Sequence, residues 1–141
     1  MKHRALNTIA VLAVAGLCAA STMFAQNGIL KADIPFDFVV ADRTLPAGTY
    51  EVQCNPNQSP LVKLQGVDVE AGLFAMTSPT QSTALNREGK LIFNRYGNSY
   101  FLSQVWRAGS NQGGALSASK AEREIAARVA KGGKAEVAMH R

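Results

Sequence analysis

Residues 90 to 106 read Lys90-Leu91-Ile92-Phe93-Asn94-Arg95-Tyr96-Gly97-Asn98-Ser99-Tyr100-Phe101-Leu102-Ser103-Gln104-Val105-Trp106. Two aromatic-rich runs flank Gly97-Asn98, a pair suited to a two-residue hairpin turn with glycine first. If Tyr96 pairs with Ser99, then Arg95 faces Tyr100 and Phe93 faces Leu102. Leu91, Phe93, Tyr100 and Leu102 then share one surface, which is expected to be core. The reverse side carries Ile92, Tyr96, Phe101 and Val105, so the hairpin is expected to be covered, at least partly, on both faces and to lie centrally.

Upstream, Ala32, Ile34, Phe36, Phe38 and Val40 occupy every second position, the period of a half-buried strand. Pro35 places this strand at a sheet edge or at its own start, because proline donates no ladder hydrogen bond. Ala41-Asp42-Arg43-Thr44 and Leu45-Pro46-Ala47-Gly48 turn the chain. Tyr50, Val52 and Cys54 then alternate with polar residues, which puts the Cys54 thiol on the apolar face. Asn55 to Pro60 reads as a loop and Leu61 to Gln65 as a short strand. Val67, Val69, Ala71, Leu73 and Ala75 give another strand, ended by Met76. Thr77 to Thr83 reads as a polar connection, and Arg107 to Leu116 as a glycine-rich loop.

Downstream, Ser119 with Glu122 three positions later makes a capping-box start for a helix. Ala121, Ile125 and Val129 form its narrow apolar stripe, with Lys120, Arg123, Arg128 and Lys131 on the other sides. Gly132-Gly133 stops it. The pattern predicts an antiparallel β-sandwich or small barrel of about six to seven strands over residues 26–118. An amphipathic helix over 119–131 and a flexible basic tail over 132–141 follow.

The first residues read as an export signal. A cationic start with Lys2 and Arg4 precedes an apolar run from Ala5 to Ala20, too short and wrongly flanked for a membrane anchor. Residues 1–25 are therefore expected to be a signal peptide cut after Ala25, with Ala20 and Ser21 as alternative sites. Removing 25 of the 141 residues leaves 116, one domain's worth of chain. The net charge of +5 becomes +3 once Lys2 and Arg4 go. That surplus lies in Lys120–Arg141, the rest of the mature chain being neutral, so attraction to an anionic surface belongs to the helix and tail. Export implies an oxidising compartment, yet Cys54 is left without a second cysteine and no internal disulfide can form.

The blocks Ile34-Pro35-Phe36-Asp37-Phe38-Val39-Val40, Leu45 to Val52, Lys90 to Trp106 and Ala121-Glu122-Arg123-Glu124 resemble an uncharacterised family of small exported proteins of Gram-negative bacteria. The resemblance implies a compact β domain behind a signal peptide and adds no mechanism. Ala41 stands where that family has glycine.

No residue constellation assembles a catalytic, cofactor-binding or metal site. His3 leaves with the signal peptide, and His140 is the penultimate residue, which excludes most histidine-based chemistry and a four-ligand zinc site. Ser117-Ala118-Ser119-Lys120 matches the serine-x-x-lysine pattern of penicillin-binding acylases, but it coincides with the helix cap and lacks the companion motifs. Asp33, Asp37, Asp42, Asp68 and Glu70 are the carboxylates a hydrolase would pair; solvated strand faces give the same spacing. Tyr96, Tyr100, Phe101 and Trp106 interleave with Arg95 and Arg107 in the manner of a nucleic-acid stacking platform, against which the neutral body argues. The basic helix has too thin an apolar stripe to favour lipid. Asn57-Gln58-Ser59 is a glycosylation sequon followed by Pro60, and is discounted. The function expected is an exported, non-catalytic envelope or secreted module binding an unknown envelope protein or surface polymer, with no cofactor and no nucleic acid. The alternatives are a carrier of a small apolar ligand and, last, a carboxylate-dependent hydrolase.

Overall fold

The computed structural model describes residues 29–54, 59–129 and 132–141. The expected signal peptide and residues 55–58 of the expected loop lie outside them. The described residues are mainly β, with eleven strands among them instead of six to seven. In order these are β1 (Leu30–Ile34), β2 (Phe38–Val40), β3 (Arg43–Leu45), β4 (Gly48–Cys54), β5 (Leu61–Gly66), β6 (Gly72–Met76), β7 (Ser78–Asn86), β8 (Lys90–Tyr96), β9 (Ser99–Trp106), β10 (Ser110–Ala115) and, after the helix α1 (Lys120–Arg128), β11 (Gly133–His140).

The strands form one continuous sheet in the order β3-β2-β9-β8-β11-β1-β4-β5-β6, curled into a nearly closed barrel. β10 joins the far edge of β9 beyond β2 and pairs with β7 on its other side. Buried Thr77 carries the chain from β6, which pairs with β5, into β7, which pairs with β10.

The hairpin of β8 and β9 has the expected register, with Tyr96 opposite Ser99, Arg95 opposite Tyr100 and Phe93 opposite Leu102. Gly97 takes φ 61°, and the Arg95 guanidinium lies 5.5 Å from the Tyr100 ring. One expected face is corrected. The register slips between Ile92 and Phe93, so Ser103 stands as an extra residue and Val105 comes opposite Leu91. The bulge turns Val105 inward, where it is fully buried in the core, instead of outward with Phe101. Ile92, Phe101 and Trp106 are buried on the outer side. The Trp106 ring lies against β10, where a Cβ on Gly113 would stand 2.7 Å from it. Gly113 is therefore the seat of that ring.

Alternation at 32–40 sets the inward face, but not one strand. The chain breaks after Ile34, at Pro35, where a ladder donor is missing. β1 lies between β11 and β4, and β2 lies between β3 and β9. Thus β1 is central, not an edge strand, and Pro35 falls just beyond it. Residues 133–140, expected as a frayed basic tail, are a central strand between β1 and β8. Ala135, Val137 and Met139 alternate toward the core, and Met139 is buried. The loops expected at 77–83 and 107–116 are largely β7 and β10, paired with each other as a polar ribbon.

The interior is filled by side chains. Phe38 meets Tyr50 and Phe93 edge-on at ring-centroid distances of 5.3 and 5.5 Å, and Phe36 stacks on Tyr100 at 3.7 Å. Val52, Val62, Leu64 and Leu91 are wholly buried beside them. Burial of such side chains contributes roughly 1.5–3 kcal/mol each, which is why alternation dominates the fold.

Candidate functional site

Two surfaces of the barrel differ from a plain solvated exterior, and each is built by one antiparallel pair. The first is the outer face of β8 and β9 under α1. Ser119 caps the helix, its Oγ accepting from the Glu122 backbone N–H at 3.1 Å. The expected reciprocal half of the capping box does not form. The Glu122 side chain is buried and turns to the sheet, where its Oε1 accepts from Asn94 Nδ2 at 2.8 Å and from the Tyr96 hydroxyl at 3.3 Å. Burial and the neighbouring carboxylate push the Tyr96 phenol above its ordinary range. Glu122 and half-buried Ile125 thus form the seating face, whereas Ala121 and Val129 of the expected stripe are exposed. Arg123 and Arg128 stay in solvent.

The second is the outer face of β5 and β6. Leu61 stands opposite Met76, and Lys63 opposite Phe74. Alternation sends Val62, Leu64, Leu73 and Ala75 inward and these four outward. Leu61, Phe74 and Met76 are 41, 65 and 71% exposed, although each is a large apolar side chain. The Lys63 ammonium lies 6.0 Å from the Phe74 ring. Beside this face an open groove of about 900 Å³ separates the β2–β3 turn from the β5–β6 pair, lined by Ala41, Arg43, Lys63, Gln65, Glu70 and Phe74 among others. Ala41 and Asp42 adopt φ of 49° and 65° to make that turn, a left-handed pair in which alanine is disfavoured.

Three of the carboxylates considered for hydrolysis accept hydrogen bonds around the start of β4. Asp37 accepts from the Ala47 N–H at 2.9 Å, Asp68 from the Thr49 N–H at 2.9 Å, and Asp33 from the Thr49 hydroxyl at 2.7 Å. They tie the start of β4 to its neighbours. Inside this frame the Tyr50 hydroxyl donates to the Pro46 carbonyl at 2.6 Å. Burial first, then Asp68 and Asp37, raise its pKa. Asp42 sits in the β2–β3 turn and Glu70 on the groove. Among the described residues, no three of His, Cys, Asp and Glu gather into a metal-holding group. His140, far from frayed, lies in β11 with Nε2 3.9 Å from Asp33.

Cys54 ends β4 opposite Val62 and packs against the core. Burial pushes its thiol up, with Arg107 opposing. Among the described residues, no helix is long and apolar enough to cross a membrane.

Comparison with protein-family models, curated proteins and solved structures found no match to this chain.

The bare β5–β6 surface is not announced by the inward alternation of Val62, Leu64, Leu73 and Ala75, which describes only the core side. Its signal was present: Leu61, Phe74 and Met76 are large apolar residues out of phase with the inward set.

Proposed function

We propose that the mature chain is an exported, non-catalytic interaction module that recognises a protein partner through the outer face of β5 and β6. The observation that carries this reading is the contiguous exposure of Leu61, Phe74 and Met76 beside an open groove. Soluble proteins leave scattered apolar residues in water, but neighbouring large ones rimmed by polar groups mark interaction surfaces. Lys63, Gln65 and Glu70 supply such a rim. Export rests on the signal-like run from Met1 to Ala25. Engagement of Asp33, Asp37 and Asp68 as structural acceptors speaks for binding over hydrolysis, and an interior occupied by aromatic rings speaks for a surface site over a carried ligand.

The test is affinity capture from an envelope fraction with the processed wild-type chain and with the Phe74→Ser, Met76→Ser double variant. A protein held reproducibly by the wild type and released by the double variant is the expected result. Equal capture by both would overturn the assignment of the surface.

A further inference from the structure

We infer that β6 is covered by β6 of a second copy of this chain, joined edge to edge about a two-fold axis between the two Phe74 residues. This rests on the proposed reading of the β5–β6 surface and names its partner. The backbone supplies the first argument. Gly66 N–H donates to Ala71 O at 2.7 Å and Thr77 N–H to Pro60 O at 2.6 Å, which fixes the phase of the β5–β6 ladder. Leu73 and Ala75 therefore turn their backbone groups toward β5, and Gly72, Phe74 and Met76 turn theirs away. Among the described residues, no strand pairs with that outer edge, along which the groove opens.

The sequence Gly72-Leu73-Phe74-Ala75-Met76 is self-complementary about its centre. In an antiparallel pair centred on Phe74, Gly72 faces the second copy's Met76, Leu73 faces its Ala75, and Phe74 faces its own equivalent. Each off-axis pair matches a large residue with a small one. The three outward residues of each copy complete about six backbone hydrogen bonds, and because these residues are odd in number the two-fold axis falls midway between the two copies of the central one. On the outer face the two Phe74 rings meet, flanked by Met76 and Leu61 of each copy, so the exposed apolar residues form one strip.

The charges allow this arrangement. β6 carries none, and Glu70 falls opposite Ser78, which is uncharged. The two Lys63 side chains stand at the ends of the four-strand strip, three strand spacings or about 14 Å apart, beyond the roughly 8 Å screening length of physiological salt. A five-residue edge is small beside the roughly 800 Å² per partner of a standard interface. The pair is accordingly reversible and grows with concentration.

The test uses the processed chain with Phe74→Cys in a Cys54→Ser background. Directly opposed residues of a hydrogen-bonded antiparallel pair lie about 5.5 Å apart at Cα, inside the disulfide range. Under mild oxidation a covalent dimer should form at least about tenfold faster than with Leu85→Cys, equally exposed on β7, because pairing raises the effective concentration of the thiol. Sedimentation of the wild type should show a concentration-dependent dimer that Met76→Pro abolishes, since proline there removes only an outward N–H. Equal cross-linking rates at positions 74 and 85, or a wild type that stays monomeric at millimolar concentration, would overturn self-pairing. In that event, capture of an envelope protein that depends on Phe74 would preserve the wider reading, and its absence would end both.

Discussion

β8–β9 and β5–β6 are built alike, as antiparallel pairs with an apolar inner face, yet they end differently. Over β8–β9 the outer face is closed, with Ile92, Phe101 and Trp106 buried and Glu122 of α1 clasped by Asn94 and Tyr96. Over β5–β6 the outer face keeps Phe74 and Met76 in water. The same alternation that makes a core on one side makes either a second small core or an exposed apolar surface on the other. What decides is whether another element lies above it.

The largest effect is expected from removing the strand that supports both pairs. Deleting residues 133–141 takes out β11, which joins β8 to β1, and should leave a chain with no cooperative unfolding transition by circular dichroism. A normally folded truncated chain would mean that the strand order is wrong. Next come matched truncations. Phe93→Ala, in the closed pair, should cost about 3–5 kcal/mol in denaturant unfolding, whereas Phe74→Ala, in the open pair, should change stability by no more than about 0.5 kcal/mol. Similar costs at both positions would erase the distinction. Glu122→Ala should cost about 1–3 kcal/mol, because the Asn94 and Tyr96 donors lose their buried acceptor. Glu122→Gln, which keeps an acceptor oxygen, should recover part of it. A modest gain is expected at the rim of the groove. Ala41→Gly relieves a left-handed alanine and should stabilise by about 0.5–1 kcal/mol in denaturant unfolding.

The central hairpin was legible because Gly97-Asn98 fixes its register and its apolar residues are large. Its bulge was not, since nothing in Leu102-Ser103-Gln104 distinguishes a regular strand from one with an extra residue; the inward turn of Val105 appears only when Leu91 is placed opposite. β11 carried the period-two signal in Ala135, Val137 and Met139, but with one large side chain among three and a terminal position it resembled a tail. β7 and β10 had no apolar alternation to read. They are strands because their backbones pair with each other, a long-range fact outside local propensity. The helix start was visible in Ser119, whereas the destination of Glu122 depended on two sheet residues more than 25 positions away. Aspartate spacing along a strand does not name partners; that Asp37 and Asp68 accept from backbone N–H groups and Asp33 from the Thr49 hydroxyl depends on the folded chain.

Amide hydrogen exchange along β6 in dilute solution tests the free edge most directly. An alternating pattern is expected, with Leu73 and Ala75 protected by β5 and with Gly72, Phe74 and Met76 exchanging quickly until a partner or a second copy binds. Uniform protection of all five amides in the dilute monomer would contradict it.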